Sequence, residues 1–146
     1  MSSLISNMPK VRGKLLVNAD IASSSWFKVG GPAEVLYEPA DEIDLLDFMV
    51  NLDPEIPILV IGASSNILIR DGGIRGVVIK LGNYFKGIKL LNNQLLVGAY
   101  IHNMMLAKYA NNNDLLGYDF LSGIPGTLGG SIKMNAGCYG KEMSDI

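Results

Sequence analysis

A chain of 146 residues, 49% of them hydrophobic, is long enough to bury one core, so its composition excludes an intrinsically disordered protein. Its formal net charge of −2 comes from twelve basic and fourteen acidic residues interspersed along the chain, which offer no basic stripe to a nucleic acid. The single cysteine, Cys138, can form neither an internal disulfide nor a metal cluster. No apolar run approaches the ~20 residues of a membrane span. We therefore expect a cytoplasmic protein that binds no nucleic acid, metal or membrane.

The first half of the chain predicts short strands and one helix. Ala33–Glu38 and Gly76–Leu81 predict strands, and the short apolar run Ile58–Ile61 predicts a buried strand. Asp41 is placed to cap a helix that stops near Pro54. The apolar residues of this helix recur at intervals of three and four, which predicts a stripe facing a core: Ile43, Leu46, Met49 and Val50.

The second half predicts a hairpin followed by a helix. Ile88–Leu91 and Gln94–Ala99 flank Asn92-Asn93, which is a hairpin signal. The apolar residues of Ile101–Tyr109 have helical spacing, and its methionine pair, Met104 and Met105, is expected to fill the core. These elements predict a small α+β protein.

Two segments rich in glycine and hydroxyl groups interrupt this pattern. GASSN, at Gly62–Asn66, precedes the apolar Ile67–Ile69 and is predicted to be a binding loop held between two strands. GIPGTLGGS ends at Ser131, and a helix is expected after Pro125-Gly126. Neither segment fits the Rossmann fingerprint or the P-loop. Such glycines serve tight turns, or loops whose backbone N–H groups attract a pyrophosphate without a lysine, and the residues leave both readings open.

No side chain is a convincing general acid or base. The acids mostly lie at predicted helix starts and turns, where they cap and are solvated, as Asp71 and Asp114 do. His102, the only histidine, has no acid, cysteine or second histidine near it in sequence. The sequence therefore predicts no catalytic residue in this chain.

Three segments together carry a resemblance to a known family: SWFKVGGPAEV (Ser25–Val35), VIGASSNILIRDGGIRGVVIKL (Val60–Leu81) and GYDFLSGIPGTLGGSIKMNAGCYGKEMSD (Gly117–Asp145). In order and spacing they resemble the UDP-N-acetylenolpyruvoylglucosamine reductases, flavoenzymes also called UDP-N-acetylmuramate dehydrogenases. The resemblance implies the α+β FAD-binding fold of the vanillyl-alcohol oxidase and p-cresol methylhydroxylase type. The whole chain would be the FAD-binding domain, with two small α+β subdomains at about 20–81 and 82–146 clasping a non-covalent FAD. The C-terminal substrate domain of the family is expected to be absent from this chain.

The resemblance also implies which residues bind the cofactor. The first loop would wrap the FAD pyrophosphate, and the second would hold the pyrophosphate, ribityl and ring region from the other side. The implied cofactor-binding residues are Gly62, Ala63, Ser64, Ser65, Asn66, Ile67, Gly98, Gly123, Pro125, Gly126, Thr127, Gly129, Gly130 and Ser131. The family commonly has glycine where this chain has Ser64; if that position needs a positive φ, a serine there costs about 1 kcal/mol.

The implied reaction of the complete enzyme uses NADPH as the hydride donor and the enolpyruvyl ether of UDP-N-acetylglucosamine as the acceptor, forming UDP-N-acetylmuramic acid for peptidoglycan. In the family, the serine that protonates the substrate lies in the substrate domain, so no residue here takes that role. Two alternatives stay open: a flavin- or nucleotide-binding module without turnover, and a related flavin oxidase. The oxidase is weakened because such enzymes often tether FAD through a histidine, and His102 is not in the pyrophosphate loop.

Overall fold

The computed structural model describes residues 4–92 and 94–146, so Asn93 of the predicted hairpin turn lies outside the described residues. The chain forms two compact units, one ending at Tyr84 and the other beginning at Phe85. In the part of the chain that the structure describes, none of the helices has the length and apolar character needed to cross a bilayer.

The first unit is built on a four-stranded sheet in the order β1 (Lys14–Ala19), β2 (Ala33–Glu38), β4 (Ile74–Lys80) and β3 (Ile58–Ile61). β1 is antiparallel to β2, whereas β2 and β3 both run parallel to β4. The predicted bounds of β2 and β3 are confirmed, and β4 begins two residues before the predicted strand. β1 was not predicted, because its residues are mostly exposed and show no clean alternation.

Both faces of this sheet are covered. Successive residues of a strand point to opposite faces, so Val77 and Val78 of β4 belong to different apolar clusters. One cluster contains Ala19, Ile21, Ala33, Leu36, Ile61, Ile69 and Val78. The other contains Val35, Tyr37, Phe48, Leu52, Val77 and Ile79. This double burial explains the continuous apolar runs of β2 and β4.

Helix α1, Glu42–Asn51, begins as predicted, because the Asp41 carboxylate accepts a hydrogen bond from the backbone N–H of Asp44 at 2.9 Å. The predicted inward stripe is wrong: the side chains of Ile43, Leu46, Met49 and Val50 are 44–73% exposed. Phe48 and Asp44 face inward instead. The Asp44 carboxylate accepts backbone hydrogen bonds from Arg12, Gly13 and Ala40, and these donors hold that side of the helix against the unit.

Two further predictions for the first unit are wrong. β3 is an edge strand rather than a buried one, since among the described residues it pairs with β4 alone and its first three side chains are 37–60% exposed. Ile67–Ile69 is not a strand. The next residue, Arg70, instead accepts hydrogen bonds at its carbonyl oxygen from the N–H groups of Gly31 and Gly73, so this segment follows a loop and not the sheet.

The second unit contains the predicted hairpin, formed by β5 (Ile88–Leu91) and β6 (Gln94–Val97). Helix α2 is Asn103–Asn112 and helix α3 is Leu128–Met134. A short antiparallel pair follows, with β7 at Gly137–Cys138 and β8 at Lys141–Glu142. The core consists of Ile101, Leu106, Phe120, Leu121, Ile124, Leu128 and Met143.

The expected core role of the methionine pair is wrong. Met104 and Met105 are 59% and 58% exposed. The inner face of α2 is formed by Asn103, Leu106 and Ala110. The helical period was read correctly, but it was placed on the wrong side of the helix.

Candidate cofactor-binding loops

The first candidate loop, Gly62–Ile67, directly follows β3 at the carboxyl end of a parallel strand. Ligands of open sheets with parallel strands commonly bind at that end. Ser64 is buried and has a φ of 54°. This position therefore does need a positive φ, and a serine there costs about 1 kcal/mol. Asn66 is exposed and Ser65 is half-buried. The loop thus exposes Asn66 and part of Ser65, while Ser64, its left-handed residue, is buried.

The first loop is joined to an earlier segment of its unit. The carbonyl oxygen of Ser64 accepts a hydrogen bond from the backbone N–H of Trp26 at 3.4 Å. The indole of Trp26 is 64% exposed, and the neighbouring Phe27 is 56% exposed. Two large aromatic side chains therefore lie in the segment bonded to this loop without being buried in the core.

The second candidate loop, Gly123–Ser131, enters α3 through Thr127. Gly126 has a φ of 111°, and Thr127 occupies the N-cap position. The Thr127 side chain makes no capping hydrogen bond, although threonine at this position commonly does. Its hydroxyl group is therefore not used to satisfy the helix.

The segment after β6 is hydrogen-bonded to this loop. The N–H of Gly129 donates to the carbonyl oxygen of Ala99 at 2.8 Å, and the N–H of Leu128 donates to that of Ile101 at 2.9 Å. The family resemblance implied that Gly98 lies near the cofactor, at the end of a strand. In the structure the next residue, Ala99, is the one hydrogen-bonded to the second loop. β6 itself ends earlier, at Val97.

The predicted site glycines of this unit have different structural reasons. A Cβ atom at Gly98 would lie 2.2 Å from the carbonyl oxygen of Phe85, and one at Gly123 would lie 2.4 Å from the sulfur of Cys138. A Cβ at Gly129 would lie 3.0 Å from the Cβ of Ala99. These three positions are crowded by the protein itself, so their glycines need no ligand.

Gly130 is different. It lies inside α3 and is exposed, and a Cβ there would meet only the Thr127 hydroxyl oxygen, at 3.5 Å. Glycine inside a helix costs about 1 kcal/mol relative to alanine. The packing of the unit gives no reason for that cost, so Gly130 leaves an open position that a bound group could approach closely.

Each loop, taken within its own unit, carries donors that suit an anionic group. Neither Gly62–Ile67 nor Gly123–Ser131 contains an acidic side chain that would repel an anion. Their polar groups are hydroxyls, the Asn66 amide and backbone amides, of which the N–H groups of Leu128, Gly129 and Ser131 already donate within the unit. Neutral N–H and O–H donors arranged in concave loops bind anions. Among residues 4–92 and 94–146, no group of three His, Cys, Asp or Glu side chains is arranged to hold a metal ion. The donor set therefore fits the cofactor implied by the sequence.

Sequence reasoning missed one buried residue beside the second loop. The Asn103 side chain is fully buried, and its amide nitrogen donates to the carbonyl oxygen of Ile124 at 3.1 Å and to the hydroxyl oxygen of Ser131 at 2.7 Å. The sequence pattern that could have revealed it is the helical spacing of Asn103, Leu106 and Ala110, which places the Asn103 amide on the inner face of α2.

A family described as FAD binding domain matches residues 33–146, which include both loops. The chain belongs to this FAD-binding domain family. The predicted α+β FAD-binding fold is confirmed, and FAD is the cofactor of the family. Which atoms of this FAD-binding domain contact the cofactor stays a prediction.

The domain is also similar to named enzymes. It is 50% identical over 140 residues to a UDP-N-acetylenolpyruvoylglucosamine reductase of Caulobacter sp. (strain K31), covering 95% of this chain and 46% of that one. It is 48% identical over 143 residues to the reductase of the same name from Rhodospirillum rubrum, covering 98% of this chain and 45% of that one. The crystal structure of UDP-N-acetylenolpyruvylglucosamine reductase from Thermus caldophilus matches with a TM-score of 0.74 and 32% sequence identity. The match covers 93% of this chain and 47% of that one. The chain spans about half the length of the curated relatives it matches.

Proposed function

We propose that this FAD-binding domain is part of a UDP-N-acetylenolpyruvoylglucosamine reductase. The observation that carries the proposal is 48–50% identity to reductases of that name along nearly the whole of this chain. The activity proposed for the complete enzyme is the NADPH-dependent reduction of the enolpyruvyl ether of UDP-N-acetylglucosamine to UDP-N-acetylmuramic acid. The flavin supplies hydride-transfer chemistry when it is bound.

The residues of this chain bind and orient the cofactor in this proposal. The backbone amides of the first loop, with Ser65 and Asn66, donate to the diphosphate. In the second loop, Thr127 is buried and its hydroxyl makes no capping hydrogen bond, and Gly130 leaves room for close approach. In each loop, neutral groups take the place of the lysine of a P-loop. No residue of this chain is assigned to proton transfer.

NADPH and the UDP-sugar are the proposed substrates of the complete enzyme, and the proposed location is the cytoplasm. The location is supported by the lone thiol of Cys138, which is half-buried and forms no disulfide. A reducing compartment keeps such a thiol free.

A ligand series tests the proposed binding mode. The purified chain is titrated with FAD, with FMN and with riboflavin, and thermal unfolding is followed at each concentration. A ligand present at 100 times its dissociation constant stabilises the folded state by about 2.7 kcal/mol. We expect FAD to raise the melting temperature and riboflavin, which has no phosphate, to have little effect. Equal effects of FAD and riboflavin would refute diphosphate binding by the loops.

Two simple assays distinguish the alternatives. Acid precipitation of the FAD-loaded protein should release all flavin into the supernatant; flavin retained in the pellet would indicate a covalent flavin oxidase. The isolated chain should not oxidise NADPH at a rate that depends on the enolpyruvyl sugar. Turnover by this chain alone would place the proton donor within it and contradict the assignment of binding only.

A further inference from the structure

Asn103 connects three positions of the second loop. Its side-chain nitrogen donates to the carbonyl oxygen of Ile124 at 3.1 Å and to the hydroxyl oxygen of Ser131 at 2.7 Å. Its backbone N–H donates to the carbonyl oxygen of Gly126 at 3.1 Å. A single residue at the start of α2 therefore holds both ends and the middle of a segment that contains Gly126, Gly129 and Gly130.

The orientation of this amide follows from its partners. A carbonyl oxygen only accepts hydrogen bonds, so the nitrogen and not the oxygen of the Asn103 side chain must face Ile124. The Ser131 hydroxyl, bonded to the same nitrogen, therefore acts as an acceptor. The side-chain oxygen of Asn103 is left buried without a partner among the described residues.

Asn103 satisfies two acceptors, at Ile124 and Ser131, and leaves its own buried side-chain oxygen unpaired. Because the unpaired oxygen offsets part of what the two bonds contribute, stability of the unit gives asparagine only a small advantage at position 103. The glycines of the second loop suggest a reason, because a glycine-rich backbone has many accessible conformations and needs an external constraint to hold one of them. Asn103 supplies that constraint from the side of the core.

We propose that Asn103 is a positioning residue that holds Ile124–Ser131 in the conformation that binds the flavin cofactor. This inference rests on the proposed function. Asn103 acts through Ile124, Gly126 and Ser131 and does not itself touch the cofactor. Without its bonds, the loop would lose freedom only when the cofactor binds, which would weaken affinity.

The decisive variant is Asn103→Asp, compared with the control Asn112→Asp at the exposed end of α2. An ionised carboxylate cannot donate to Ile124 or Ser131, whereas a protonated carboxyl group can donate to one of them. Burial raises the pKa of such a carboxyl group, so protonation is expected within an accessible range of pH. The dissociation constant for FAD is measured by flavin fluorescence at about pH 5.5 and about pH 8.

We expect Asn103→Asp to bind FAD roughly tenfold more weakly than wild type at the higher pH and to recover toward wild type at the lower pH. The dissociation constant for FAD should depend on pH in the same way for wild type and for Asn112→Asp. The other titratable side chains on the elements around Asn103 are present in every variant: His102, Lys108, Asp119 and Lys133, which are exposed, and Tyr109, which is half-buried. Their titration therefore cancels in the comparison.

A second variant keeps the test decisive if Asn103→Asp does not fold. Asn103→Leu removes the unpaired amide oxygen but also leaves the Ile124 carbonyl and the Ser131 hydroxyl without their donor. We therefore expect a folded chain with a lowered melting temperature and with weaker FAD binding than wild type at both pH values. Wild-type FAD affinity in either folded variant at every pH would overturn the inference alone. Failure of the wild-type chain to bind FAD would overturn the proposed function and this inference with it.

Discussion

The phenolic hydroxyl of Tyr37 donates a hydrogen bond to the backbone carbonyl oxygen of Asp44, with 2.9 Å between the oxygens. Tyr37 is fully buried in β2, and its ring stacks on that of Phe48 with centroids 4.1 Å apart. Burial raises the pKa of Tyr37, and the hydrogen bond to Asp44 raises it further. The neutral phenol thus fixes α1 to the sheet of the first unit.

Replacing Tyr37 with phenylalanine should isolate the contribution of this bond. The ring stack on Phe48 is kept, while the buried carbonyl oxygen of Asp44 loses a donor, so the free energy of unfolding should fall by about 1 kcal/mol. Urea unfolding measures the change. Tyr139→Phe, at a site that is 78% exposed, is the matched control and should leave stability unchanged. An equal effect in both variants would refute a specific role for the Tyr37 hydroxyl.

Asp44 should make the first unit sensitive to acid. Burial disfavours its charged form, but the N–H groups of Arg12, Ala40 and Gly13, together with Tyr37, outweigh burial and lower the pKa of Asp44 to about 2. Because the pKa is lower in the folded state, the stabilisation is present above the unfolded-state pKa near 3.8 and is lost as the pH falls toward 2. A difference of this size corresponds to about 2 kcal/mol at neutral pH.

The variant Asp44→Asn tests this linkage. It presents one oxygen and one NH₂ group to three backbone donors, so we expect a loss of roughly 2–4 kcal/mol at pH 7 and a flatter stability profile between about pH 4 and pH 2. Chemical unfolding at several pH values gives the profile. Asp47→Asn, on the exposed side of α1, should retain the wild-type profile. An unchanged slope in Asp44→Asn would assign the acid sensitivity to another group.

Ser64→Gly should stabilise the cofactor-free chain. The φ of 54° at Ser64 is unfavourable for serine and accessible to glycine. Part of the gain is offset by the greater freedom of glycine in the unfolded chain, so the net increase should be up to about 1 kcal/mol. Thermal unfolding measures it, with Ser23→Gly at an exposed position as the control. Destabilisation by Ser64→Gly would mean that the serine side chain makes a contribution larger than the backbone cost.

Alanine substitutions at Gly129 and Gly130 should have opposite effects on the cofactor-free chain. At Gly129 the new Cβ would lie 3.0 Å from that of Ala99, so the segment must shift and stability should fall. At Gly130 the Cβ is accommodated, and alanine should raise stability by about 0.5–1 kcal/mol through helix propensity.

The same pair tests the site. If the cofactor approaches Gly130, then Gly130→Ala should bind FAD more weakly than wild type even though the free chain is more stable. Thermal unfolding without ligand and FAD titration, done on the same samples, separate the two effects. A stabilised Gly130→Ala variant with unchanged FAD affinity would remove Gly130 from the site.

The local pattern of apolar residues predicted where strands and helices lie better than it predicted which side of a helix is buried. Ala33–Glu38 and Ile58–Ile61 are strands with the predicted bounds, because short apolar runs between turn residues specify strands locally. α1 contains apolar residues on more than one side, so periodicity alone could not decide which side is buried. The choice depends on backbone donors about thirty residues away at Arg12 and Gly13, which bond to Asp44 and are not visible in the helix sequence.

The candidate site shows the same division. The two candidate loops were predicted from composition and from family resemblance, and their contacts with the cofactor stay predictions. Ser64 was recognised as a position where φ matters. Asn103 was missed because its role depends on Ile124 and Ser131, which are 21 and 28 residues away in the chain. Contacts at such separations follow from the packed unit and not from local spacing.

The backbone hydrogen bond from Trp26 to Ser64 makes tryptophan fluorescence an intrinsic probe of the first loop. Trp26 is the only tryptophan, and its indole is largely exposed to solvent in a segment bonded to the first loop. Its emission therefore monitors the surroundings of that loop without chemical labelling, and quenching of this one fluorophore would follow ligand arrival there in real time.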